Sequence, residues 1–96
     1  MKNYILNLSD DFSEYAWEIE SKGCFEVDIK VFDKLYTFNF YDPIRLKQTI
    51  EDDLRSNQYF FCENLVVLPK VSLDNIEKFI ENIINTPYLL SFPTKR

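Results

Sequence analysis

Carboxylates are the only side chains present in number that could carry out chemistry. Asp10-Asp11 and Asp52-Asp53 are adjacent pairs. A metal hydrolase needs acids that converge from separate elements, and neither pair has the glycine and spacing of a calcium loop. A glycosidase needs two carboxyl groups at a set separation, which a linear sequence does not reveal. Histidine is absent, which removes the usual acid–base group at neutral pH, the triad base and the commonest metal ligand. Gly23 is the only glycine, so no glycine-rich phosphate loop can be built. Cys24 and Cys62 lie far apart without CxxC spacing. With no secretion signal, they read as reduced, buried thiols of a cytoplasmic protein. The expectation is a protein that is not an enzyme and uses no cofactor.

What the carboxylates can do is bind a cation-rich surface. The net charge is −5, and it is unevenly spread. Asp10, Asp11, Glu14, Glu18, Glu20, Glu26 and Asp28 stand against one base, Lys22, a local −6 that leaves +1 for the rest of the chain. This balance disfavours direct contact with nucleic acid or anionic membranes. Solubility would be served as well by mixed signs, whereas a cluster of one sign suits a basic partner. Those seven acids are the candidate partner-binding residues.

The elements that must position them fit in a single domain, residues 1–96. At that length roughly 60–65% of the unfolded surface can be buried, enough for a core without metal or crosslinks. The chain is 46% apolar and 17% aromatic, which argues for a bulky core rather than disorder. No apolar run approaches the roughly 20 residues of a membrane span. Tyr4 to Leu8 is a short β-prone run. Residues 10–22 admit two readings. Phe12, Tyr15, Ala16 and Ile19 are at helical spacing before Gly23, yet Tyr15, Trp17 and Ile19 also alternate as a strand. With Ser21-Lys22-Gly23 as a hairpin loop, Ile19 faces Phe25 and Trp17 faces Val27. With Asp33-Lys34 as a second turn, Val31 faces Tyr36, Ile29 faces Phe38 and Val27 faces Phe40. That common apolar face favours a three-strand meander, with Glu18 opposite Glu26 on its outer side.

Beyond it the signals are helical. Asp42 reads as an N-cap, Pro43 as the first helical residue, and Leu46, Ile50 and Leu54 as one apolar stripe over 43–56. Tyr59-Phe60-Phe61 reads as core or sheet-edge packing. Leu65-Val66-Val67-Leu68, apolar at every position, reads as a strand covered on both sides. Ser72 caps a helix over 72–85 with Ile76, Phe79, Ile80, Ile83 and Ile84 on one face, ended by Thr86-Pro87. The predicted fold class is α+β: a small antiparallel sheet, a meander of about four or five strands, against two helices on the face of Val27, Ile29, Phe38 and Phe40.

Phe40-Tyr41-Asp42-Pro43 with Arg45-Leu46, and Asn64-Leu65-Val66-Val67 followed by the helix from Ser72, carry a resemblance over about residues 12 to 85. This order resembles the small immunity proteins of bacterial polymorphic-toxin and contact-dependent growth inhibition systems. The resemblance implies a cytoplasmic protein that binds the C-terminal domain of a cognate toxin and neutralises it. Many such toxins are basic nucleases, in agreement with the acidic cluster. The alternatives are an acidic inhibitor of another nucleic-acid-binding protein, such as a phage nuclease inhibitor, and a small ligand-binding or enzyme domain.

Overall fold

Gly23 decides the first third of the chain. In the computed structural model, which describes residues 4–94, its backbone is left-handed, with φ of 76°. A left-handed glycine suits a hairpin loop and a helix C-terminus alike. Here its N–H donates to the Ile19 carbonyl at 3.0 Å and closes a helix, α1 (Phe12–Lys22). Residues 10–22 are therefore not a strand of a meander. The helical spacing prevails because it buries Phe12 and sets Ile19 against the core. Trp17, off that stripe, is 67% exposed instead of facing Val27. Glu14 in the first turn and Lys22 in the last also suit the helix dipole.

The antiparallel neighbour of β2 (Cys24–Val31) is instead β1 (Tyr4–Leu6), with Tyr4 opposite Val31 and Leu6 opposite Ile29. On its other side β2 pairs with β3 (Lys34–Tyr41), and the turn is Phe32-Asp33, one residue earlier than expected. Val27 faces Phe38 and Ile29 faces Tyr36. The register moves by two, so every side chain keeps its face. In the expected register Phe25 would oppose Asp42, and Cys24 would oppose Pro43, which has no N–H to offer. The observed one pairs eight residues with eight and ends at Cys24–Tyr41, which leaves Asp42 free to cap.

That cap begins α2 (Pro43–Asn57): the Asp42 carboxylate accepts from the Arg45 N–H at 2.7 Å. Parallel strands need a crossover. α2 supplies it and returns the chain as β4 (Leu65–Val67), parallel to β3, in the order β1-β2-β3-β4. The sheet is thus mixed rather than antiparallel, and β4 is its edge. Val66 shares the Phe40 face, while Val67 lies on the other and is half exposed. The strand is not covered on both sides.

α3 (Leu73–Ile83) begins where Ser72 Oγ accepts from the Asn75 N–H, with Val71 and Ile76 buried beside the cap. Its Phe79 ring meets Phe38 and Phe40 edge-on, at 5.5 and 5.8 Å. The Pro87–Ser91 turn of 3₁₀ helix buries Leu89, and Phe92 packs edge-on at 5.0 Å over Phe38. Burying each of these rings contributes roughly 1.5–3 kcal/mol. The core is Val27, Ile29, Val31, Tyr36, Phe38 and Phe40 against α3 and this tail. Both expected helices form and the class is α+β, yet only α3 of the two joins that face. α2 has no buried residue and gives nothing to the core. Among the described residues no helix is long and apolar enough to cross a membrane.

Candidate functional site

The strand reading made Glu18 and Glu26 cross-strand neighbours. They are not, because Glu18 is on a helix, yet both line one cleft. α1 runs beside the Phe25 end of β2, where β1 no longer pairs. Phe12 packs on Phe25 with ring centroids 5.6 Å apart and anchors the helix there. Between helix and strand lies a cleft of about 400 Å³ with Phe12, Tyr15, Ile19 and Phe25 in its walls and Glu18, Glu26 and Lys22 among its polar groups. Glu14 precedes Glu18 by one helical turn, and Asp28 follows Glu26 on the same side of β2. Glu14, Glu18, Glu26 and Asp28 therefore form a line of acids from the helix onto the sheet.

The sheet face that receives this line is only partly covered over its middle. Glu26 and Lys30 are exposed there, and Asp28, Thr37 and Asn39 half-buried. Thr37 Oγ1 donates to Asp28 at 2.6 Å, and Asn39 Nδ2 donates to the Glu63 carbonyl at 2.9 Å. A second cleft, about 540 Å³, lies along these residues with Glu26, Glu63 and Asn64 in its wall. Glu26 borders both clefts.

The remaining candidate acids are placed differently. Asp10 and Asp11 are exposed just before α1. Hydrogen bonds from the Ser9 and Tyr15 side chains hold the Asp11 carboxyl below the usual range, so it is fully ionised at neutral pH. Glu20 does not join the group: it turns to Lys70, 3.9 Å away, ahead of α3. Sequence reasoning missed Trp17 and Tyr15, both exposed beside the acids. The signal was there, since a helix over 12–22 turns Trp17 away from the Phe12–Ile19 stripe.

Near Tyr41, the Cys62 thiol and the Tyr41 phenol are both held towards their protonated forms. Cys24 and Cys62 are free and half-buried rather than fully buried. Burial, and then the charge of Glu26, push the Cys62 thiol up, so it stays protonated at neutral pH. Burial likewise raises the Tyr41 phenol, with smaller contributions from the two cysteines. Asp52 is paired with Arg55 at 2.7 Å on the exposed side of α2. Among the described residues no three acids or thiols converge as ligands for a metal ion. Tyr59 and Phe61, expected in the core or on a sheet edge, are exposed in the loop before β4. Compared with family models, curated proteins and solved structures, the chain matches none.

Proposed function

We propose that this chain is an immunity protein: a cytoplasmic inhibitor that binds the C-terminal domain of a cognate toxin, a basic nuclease, and blocks it. The observation that carries the reading is the α1–β2 cleft, where Glu18 and Glu26 share an aromatic-walled groove and Trp17 stands exposed on the same helix. Tryptophan and tyrosine are the residues most often found as binding anchors, and carboxylates set rate and register. Glu14 and Glu18 are like charges one turn apart, which costs a free helix a few tenths of a kcal/mol. A cationic partner offsets that cost. Its Lys and Arg side chains, which otherwise hold substrate phosphates, meet carboxylates instead. A local charge of −6 steers such a partner and raises association on the order of 10–1000-fold at low salt.

The test is neutralisation. A cognate toxin domain, sought in the neighbouring gene and expressed with and without this chain, should stop growth alone and permit growth in its presence. Failure to rescue, with both proteins soluble, rejects the reading. Glu18→Gln with Glu26→Gln should slow association with that toxin and flatten its dependence on ionic strength. An unchanged rate at low salt would remove the cleft from the interface.

A further inference from the structure

We propose that the outward face of α2 is a self-association surface, occupied by α2 of a second copy of this chain in an antiparallel, two-fold arrangement. The proposal is independent of the acidic cleft. α2 has one side, Leu46, Thr49, Ile50 and Asp53, half-buried against the domain, and none of its residues is buried. The opposite side presents Ile44, Lys47, Glu51 and Leu54 at three- and four-residue spacing. Ile44 is 73% and Leu54 51% exposed. Pro43, Ile44, Lys47, Gln48 and Glu51 line a shallow hollow of about 550 Å³ along it.

The arrangement is self-complementary. Ile44 and Leu54 lie five residues either side of position 49, and Lys47 and Glu51 lie two either side. A two-fold interface brings residue i to j and j to i. An axis at the level of Thr49, on the outward side of α2, therefore sets each Ile44 against Leu54 of the second copy, and each Lys47 against Glu51. The flanking charges add to this, with Arg45 and Lys47 in the first half of the helix and Glu51, Asp52 and Asp53 in the second, where Arg55 is taken up by Asp52. Antiparallel pairing is attractive, opposes the helix dipoles favourably, and excludes the parallel alternative, which sets like charge on like. Three turns of helix bury less than the roughly 1,200 Å² of a stable complex. The dimer is therefore weak, with Kd in the micromolar range or above, on the order of 10⁻⁶–10⁻⁴ M.

Sedimentation equilibrium from about 1 µM to about 1 mM reads this directly. The full chain should show a reversible monomer–dimer equilibrium. Lys47→Glu and Glu51→Lys should each weaken it by about tenfold, because like charges then meet twice across the axis. An equimolar mixture of the two variants should recover dimers of near-native affinity, since each altered residue now faces its opposite. If circular dichroism shows that a charge reversal unfolds α2, Ile44→Ser with Leu54→Ser takes its place and should leave a folded monomer. A chain that stays monomeric throughout, a dimer indifferent to these changes, or a mixture no tighter than its components overturns the proposal.

Discussion

Replacing Gly23 with alanine should be among the most damaging single-methyl additions to this domain. Two costs combine. The residue is left-handed, with φ of 76°, a conformation that costs an L-residue about 1–2 kcal/mol. The new β-carbon would also meet the Asp42 carboxylate, and would lie 2.9 Å from Arg45 Cβ. The flexible partner is Asp42, and moving it breaks the cap to the Arg45 N–H, worth about 1 kcal/mol within a range of 0.5–2. Together the loss is about 2–4 kcal/mol, a large part of the 5–15 expected for a domain. In a chain this size that lowers Tm by roughly 10–25 °C. Urea unfolding followed by circular dichroism measures it, with an unchanged m-value marking a loss of stability alone. A double-mutant cycle sharpens the argument. Asp42→Ala alone should cost about 1 kcal/mol, and the pair should cost less than the sum by a similar amount, because the cap can be lost only once and the closest clash disappears. Additive losses, or a Gly23→Ala loss under about 1 kcal/mol, would refute both the left-handed cap and its contact with Asp42.

Phe32→Gly should act in the opposite direction. Phe32 has φ of 57° at the first position of a two-residue turn and is mostly exposed, so relief of about 1–2 kcal/mol, less the entropy of glycine, nets about 0.5–1 kcal/mol of stability. A raised urea midpoint shows it, and a lowered one means that the ring makes contacts worth more than the strain. Tyr4 links the fold to alkaline pH: burial, and then the carboxylates of Glu81 and Glu77, raise its phenol well above the ordinary value of 10.0. The folded state then holds the proton that the unfolded state releases, so stability is intact below pH 10 and falls as pH rises above it. Tyr4→Phe should flatten that fall in alkaline unfolding curves without abolishing it, because the Tyr41 phenol is raised as well; an unaltered slope would refute the assignment.

How much of this was legible in the sequence depends on how many constraints each segment carried. Asp42-Pro43 and Ser72 each combine a cap with a downstream apolar stripe, and both helices begin there. Residues 24–41 kept their predicted faces because period-two alternation fixes parity even when the turn moves by a residue. Residues 12–22 carried two periodicities at once, and Gly23 suited either outcome. What separated them was tertiary: β1 takes the Ile29–Val31 part of the β2 edge, and α1 buries Phe12 against Phe25 at the other end. Leu65–Val67 misled for a related reason. A fully apolar run implies two covered faces only when something covers the second, and α2 leaves Val67 half exposed. The acids were found by counting charge. Glu18 and Glu26 come together in either reading, but Glu20's turn towards Lys70 and Trp17's exposure follow only from α1 being a helix.

The same glycine ties stability to the candidate site. Its N–H ends α1 at the Ile19 carbonyl, its carbonyl accepts from the Asp42 N–H at 2.8 Å, and the next residue opens β2. One residue thus fixes the end of the helix that carries Glu18, the start of the strand that carries Glu26, and the approach of α2. Only a left-handed residue reverses the chain in a single step, and only one without a side chain leaves room for Asp42. Backbone geometry at Gly23 therefore sets how the helix carrying Glu18 meets the strand carrying Glu26, and a shift of that junction moves one half of the acidic line against the other. A partner that reads the line reads the angle between α1 and β2. The tight junction at Gly23 keeps that angle defined in the free protein, and a pre-set angle lowers the ordering cost of binding.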